Sequence, residues 1–164
     1  MNTKHILEVQ QHNPIDIALI IKIGYMKNGT RLDMKIEPSK KMLKRFELAR
    51  NLAMQNPTKW HHAALLVSKG TVLNASMNTN RPCSFGTRFR NPEKGQATLH
   101  AELGAILNMS KQNTEGSDVY VVRINNDGEF RQSKPCQMCE EAMRFCGIRR
   151  VFYSVEDGYE MLRL

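Results

Sequence analysis

Two short motifs contain the residues with the clearest chemical potential: His100-Ala101-Glu102 and, further along the chain, Pro135-Cys136-Gln137-Met138-Cys139. An imidazole and two thiolates are ligands that borderline-soft Zn²⁺ favours, and three protein ligands leave one tetrahedral position open to water. An open position points to metal-assisted hydrolysis, with Glu102 as an unligated carboxylate able to move protons. Cys136 and Cys139 stand at i and i+3, so on a helix they share one face and can reach one ion. His100 and Glu102 are two apart and converge only in the first turn of a helix. Both motifs are therefore expected at helix N-termini, where the positive end of the dipole supports thiolate and carboxylate charge. Pro135 suits an opening turn, where its missing N–H removes no helical bond.

Other readings of these residues fit less well. A closed structural zinc site would need a fourth ligand at regular spacing. A redox Cys-x-x-Cys pair would leave His-x-Glu unexplained and lacks a clear βαβ context in the sequence. Cys83 with His61 and His62 could in principle form a second metal site, although histidines preceding a strand are usually plain surface or core residues. Cys146 reads as a small hydrophobe on the helix that carries the cysteine ligands. Upstream of His100, the segment 81–90 mixes arginines with Phe85 and Phe89. Arginines can clamp a phosphate and an aromatic ring can stack on a base, so Phe85, Arg88 and Arg90 are candidates for a substrate wall. A solvated loop without a ligand role fits the same composition. Lys94 and Lys134 are weaker candidates of the same kind.

The elements that must position these groups follow from periodicity. Alternation over Ile15–Ile23 and Leu32–Ile36 around Asn28-Gly29 predicts a β-hairpin. A helix is expected from Pro38-Ser39 to about Gln55, closed by Asn56-Pro57. Strands are expected at 62–67 and 71–75 around Ser68-Lys69-Gly70, followed by a long polar segment from Asn78 to Thr98. A helix from about Thr98 to Lys111 carries the His100 motif, and 119–124 reads as a strand. A helix from Cys136 to Cys146-Gly147 carries the second motif, then strands at 151–154 and 159–162 around Asp157-Gly158. This order predicts a three-layer α/β/α domain over 39–164 with a mixed central sheet of about five strands, and an N-terminal hairpin extension over 1–38.

With 164 residues the chain is the size of one ordinary domain. Four cysteines, two of them in Cys-x-x-Cys spacing, favour a reducing compartment over a disulfide framework. No apolar run approaches the roughly 20 residues of a membrane span, and the first residues lead into no signal-like segment. A soluble, cytoplasmic protein with no membrane partner is expected. The formal charge of +8 draws anions, which include nucleotides and nucleic acid, but a solvated basic surface explains the charge equally well.

From the first long helix to the C-terminus the chain resembles the zinc-dependent cytidine and deoxycytidylate deaminase superfamily, with deoxycytidylate and viral members the most similar. The residues that carry the resemblance are 99–107 (LHAELGAIL), 133–139 (SKPCQMC) and 147–154 (GIRRVFYS). The motif H-x-E…P-C-x-x-C is the signature of zinc-dependent base deaminases. The resemblance implies a deaminase fold, zinc on His100, Cys136 and Cys139, and Glu102 as the proton shuttle. In the implied reaction, zinc lowers the pKa of a water that attacks the amine-bearing ring carbon. Glu102 takes its proton, protonates the ring nitrogen and helps ammonia leave. The resemblance also implies substrate contacts at Ala101 and at Asn78, since Ser76-Met77-Asn78 stands where many relatives have Gly-Tyr-Asn. Asn74 is the nearby competitor. A homo-oligomer is implied, and a free cytosine nucleotide is the expected substrate, deoxycytidylate going to deoxyuridylate. The alternatives are deamination of cytosine in a polynucleotide or adenosine in tRNA, deamination of a free nucleoside, and a silent zinc module, against which the intact Glu102 argues.

Overall fold

A computed structural model describes residues 33–164. Strand β1 (Met34–Ile36) leads into helix α1 (Lys40–Met54). Ser39 caps α1 through a hydroxyl that accepts from the Met42 N–H, and the turn at Asn56-Pro57 follows its end. The hairpin of β2 (His61–Ser68) and β3 (Thr71–Met77) comes next. The first strand and the turn of the expected N-terminal hairpin lie outside the described residues.

The expected polar segment contains two short turns, helix α2 (Ser84–Thr87) and a 3-10 turn over Pro92–Lys94. Helix α3 (Ala101–Ile106) is shorter than the predicted 98–111. Leu107 turns extended and Asn108 sits at φ 62°, a left-handed conformation that asparagine tolerates better than most residues, and this ends the helix. A separate turn, α4 (Lys111–Thr114), follows. Leu99 and Met109, which completed the helical periodicity, pack on the core from the flanking loops. The chain then runs through β4 (Asp118–Ile124), β5 (Phe130–Arg131), α5 (Gln137–Phe145), β6 (Arg150–Val155) and β7 (Gly158–Arg163).

Among the described residues the sheet has seven strands instead of about five, in the order β1-β7-β6-β4-β2-β3 with β5 attached to β4. Strands β4 and β6 are parallel, and the other pairs are antiparallel. The additional strands are β1, which continues the sheet beyond β7, and the two-residue β5, too short to leave a periodic signature. Because β4, α5 and β6 form a parallel βαβ unit, the sequence expectation that the Cys-x-x-Cys lacks that context does not hold.

Successive side chains of the central strands enter opposite cores. Ala64, Leu66, Val119, Val121, Val151 and Tyr153 pack with α3 and α5, while Ala63, Leu65, Tyr120, Val122 and Phe152 pack with α1. A sheet buried on both faces explains why β2 and β4 read as near-continuous apolar runs. The result is the three-layer α/β/α arrangement expected from the element order.

Candidate active site

His100 and Cys136 are the N-cap residues of α3 and α5, so both motifs open a helix as their spacing required. Each is fixed by its preceding loop. Before His100, the Thr79 N–H donates to Leu99 O and the Leu99 N–H to Arg81 O (both 2.9 Å), and the Cys83 N–H donates to Ala97 O (2.8 Å). Before Cys136, the buried Ser133 hydroxyl lies 3.0 Å from Val121 O and accepts from the Ser154 N–H at 2.9 Å. These bonds fasten the loop to β4 and β6.

The Nδ1 atom of His100 lies 3.4 Å from Cys139 Sγ and 3.6 Å from Cys136 Sγ. All three potential ligand atoms fall within 4.8 Å of one another. Zn–N of about 2.0–2.1 Å and Zn–S of about 2.3 Å at a tetrahedral angle separate N from S by about 3.5 Å. The residues therefore fit zinc, with a preformed three-ligand face. The Cys139 thiol hydrogen bond holds Cys136 toward thiolate, its pKa drawn down to about 4, with His100 adding to the effect. The same bond, together with burial, pushes Cys139 well up, while contact with Cys136 raises His100. The protons on this cluster are those that a cation would displace.

Glu102, in the first turn of α3, is only 5% exposed. Burial pushes its carboxyl above the usual range, against smaller opposing effects that include His100 and Cys139. A buried carboxyl whose hold on a proton is strengthened in this way suits acid–base work.

Two clefts meet at His100 and Cys136. The first, of about 250 Å³, is lined by Trp60, His62, Asn78, Ala101, Glu102 and Lys134, among others. The second, of about 520 Å³, carries Arg88, Phe89, Arg90 and Lys94. Its one acid among the described residues, Glu141, accepts from the Gln137 amide at 2.8 Å.

The candidate substrate residues divide accordingly. Ala101 and Asn78 line the cleft beside Glu102, and Arg88 and Arg90 line the other. Phe85 lines neither; it packs on the core and edge-on against Phe89 at 5.2 Å, and Phe89 is the aromatic residue that lines the cleft. The Asn78 amide oxygen accepts from Asn56 (2.6 Å) and from the His62 N–H (3.0 Å), so much of its capacity holds the loop in place. Asn74 is turned to α3, donating to Gly104 O and Ala105 O. Lys134 forms an ion pair with Asp33.

His61, His62 and Cys83 form no second cluster; among the described residues only His100, Cys136 and Cys139 come together. The Cys83 sulfur instead accepts from the Gly86 N–H and caps α2. Cys146 is half-buried and packs against the core. Sequence reasoning missed Trp60, 53% exposed at the cleft mouth with the Arg123 guanidinium 4.9 Å from its ring centre. Its status as the only tryptophan was the one available signal.

The profile of the cytidine and deoxycytidylate deaminase zinc-binding region matches residues 37–155, well over half of the chain. The chain belongs to this family. Solved structures share its fold. The dCMP deaminase of cyanophage S-TIM5 in apo form is 21% identical, with a TM-score of 0.50 over 74% of this chain and 86% of that one. The same enzyme in complex with dCMP and dUMP is 19% identical, with a TM-score of 0.50 over 71% of this chain and 83% of that one. Acinetobacter baumannii RibD aligns over 71% of this chain and 28% of its own, at 15% identity and a TM-score of 0.45. Among curated proteins a sequence search finds no match.

Proposed function

We propose that this protein is a zinc-dependent hydrolytic deaminase of a cytosine nucleotide, with deoxycytidylate converted to deoxyuridylate as the foremost reaction. The observation that carries this reading is the zinc-spaced face of His100, Cys136 and Cys139 beside the buried carboxyl of Glu102, at the junction of two clefts. The cyanophage enzyme with this fold, solved with dCMP and dUMP, supports the choice of substrate class.

Zinc, when bound, supplies Lewis-acid activation of water. Glu102 receives the proton that water gives up and delivers it to the ring nitrogen next to the amine-bearing carbon. A second transfer to the exocyclic amine lets it leave as ammonia, so cytosine and water become uracil and ammonia. The cleft walls at Asn78 and Ala101 orient the nucleoside. Arg88, Arg90 and Lys94, in the adjoining cleft, supply the positive charge for a 5′-phosphate.

The test is ammonia release from dCMP, CMP, dCTP, deoxycytidine, cytidine, adenosine and short single-stranded DNA and RNA, measured on zinc-loaded protein. Turnover of dCMP is expected, with kcat falling by about 10²–10⁴-fold in Glu102→Gln while zinc content holds. Retained turnover in that variant would remove Glu102 from the proton path. Arg90→Ala should raise KM for the nucleotide but not for the nucleoside.

A second reading, deamination within a polynucleotide, is favoured by aromatic–cation pairs on both sides of the site. Trp60 with Arg123 and Lys59 flanks one cleft, and Arg88 with Phe89 and the 65% exposed Phe145 flanks the other. Such pairs suit successive bases of a single strand. Turnover confined to oligonucleotides, with steeply salt-dependent binding, would select it.

A further inference from the structure

The cleft beside Glu102 grades from a closed floor to an open mouth. Ala101 and Glu102 are buried, His62 and Asn78 are half-buried, and Trp60 stands exposed at the rim. With the amine-bearing end of the base at the metal face and Glu102, the sugar of a nucleotide falls against the half-buried wall.

The polar side chains of that wall are unequally occupied. The Asn78 amide oxygen accepts from Asn56 at 2.6 Å and from the His62 N–H at 3.0 Å, which uses both lone pairs. Its NH₂ group donates to the Thr58 hydroxyl at 3.2 Å. One N–H remains, so Asn78 shapes the wall and has little left for a ligand. Thr79 Oγ1 accepts from the Arg81 N–H, and Lys134 is paired with Asp33. The His62 imidazole, in contrast, has no hydrogen-bond partner among the described residues.

The sheet decides where this ring points. Side chains of β2 alternate between the two cores, and His62 falls in the series of Ala64 and Leu66, on the face of α3 and α5. His61 falls in the series of Ala63 and Leu65, so only one of the two adjacent histidines reaches the cleft. The backbone of His62 is pinned to Asn78 from both sides, its N–H donating to the amide oxygen and its carbonyl accepting from the Asn78 N–H at 3.3 Å. Loss of solvent keeps the ring uncharged at neutral pH, with the Arg123 guanidinium directly opposite on β4 and His100 adding to the effect. A neutral imidazole offers one donor and one acceptor, which is the complement of a hydroxyl.

We infer that His62 is a specificity-determining residue that hydrogen-bonds the 3′-hydroxyl of the bound nucleotide. A deoxyribonucleotide with phosphate on its 5′-oxygen has no other free sugar hydroxyl. The inference rests on the cytosine-nucleotide reading above and sharpens it. Inside a polynucleotide the 3′-oxygen is esterified and has no proton to give, so His62 favours the free nucleotide.

The experiment compares dCMP with its 2′,3′-dideoxy analogue, which differs only in lacking the 3′-hydroxyl. Binding is measured by calorimetry on zinc-loaded protein carrying Glu102→Gln, so that no turnover disturbs it, with His62, His62→Phe or His62→Gln and with zinc content verified in each. Loss of the hydroxyl should weaken binding about tenfold or more where His62 is present, and less than about twofold in His62→Phe. His62→Gln keeps a donor and an acceptor and should retain part of the discrimination. A merely structural role for His62 would weaken both nucleotides alike in His62→Phe, and that result would overturn the inference, as would equal binding of the two nucleotides when His62 is present. Ammonia release from the protein with Glu102 intact separates the inference from the reaction. Turnover of dCMP without discrimination would remove His62 alone, whereas discrimination without turnover would remove the deamination and leave His62 in its role. Binding of neither nucleotide would overturn both.

Discussion

Half-buried in the cleft beside Glu102, the His62 imidazole has its pKa drawn down to about 4. Loss of solvent contributes most, with the Arg123 guanidinium and His100 adding to it. An unfolded chain takes up this proton near pH 6.5, so between about 6.5 and 4 the unfolded state binds more protons than the folded one. Stability must therefore fall as pH drops through that window. In His62→Gln the slope of unfolding free energy against pH should be shallower there, measured by urea titration at several pH values; an unchanged slope would mean that His62 is solvated. The grouping of His100, Cys136 and Cys139 into a face that could hold a metal was legible in the sequence because it is encoded in residue type and short spacing. Phe89, not Phe85, became the cleft aromatic because a short helix rotates one ring into the core, which no spacing rule predicts. The Asn78 amide is largely engaged by Asn56 and His62, partners that only the folded loop brings near.

At the scale of elements, α3 lies so close to β3 that Gly104 leaves no room for a side chain. A Cβ there would stand 2.8 Å from Ser76 Cβ and closer still to its hydroxyl. The missing side chain at Gly104 thus accommodates the one present at Ser76. Gly104→Ala should destabilise the protein by about 1–3 kcal/mol and, through displacement of α3, weaken zinc retention. Adding Ser76→Gly should recover most of the melting temperature; failure of that rescue would mean that the helix needs glycine for another reason. Helix α1 was legible because Ser39 and Asn56-Pro57 mark both ends. Helix α3 was overextended because Leu99 and Met109 mimic helical periodicity from its flanking loops, and β5 was missed because two residues have no period.

The whole molecule depends on a sheet covered on both faces, with α1 over one core and α3 and α5 over the other. No described helix is long and apolar enough to cross a membrane. The alternation of strands and helices made the layered architecture legible, whereas strand order and the role of the N-terminal extension depend on long-range pairing. Strand β1 shows the difference: Met34, Lys35 and Ile36 pair with Met161, Glu160 and Tyr159, and Ile36 enters the core beneath α1. We propose that 39–164 holds the catalytic unit and that β1 seals its edge. Comparing 33–164 with 39–164 isolates this strand from everything before it. Loss of Ile36 burial should lower stability by about 1.5–3 kcal/mol, and the newly exposed edge of β7 should promote association at high concentration. Zinc content should be equal in the two truncations, because His100, Cys136 and Cys139 stand on α3 and α5. Lys134, released from Asp33 in the shorter form, should increase positive charge at the cleft beside Glu102 and lower KM for an anionic substrate. If 39–164 fails to bind zinc, β1 is part of the catalytic unit itself, and the boundary at residue 38 is misplaced.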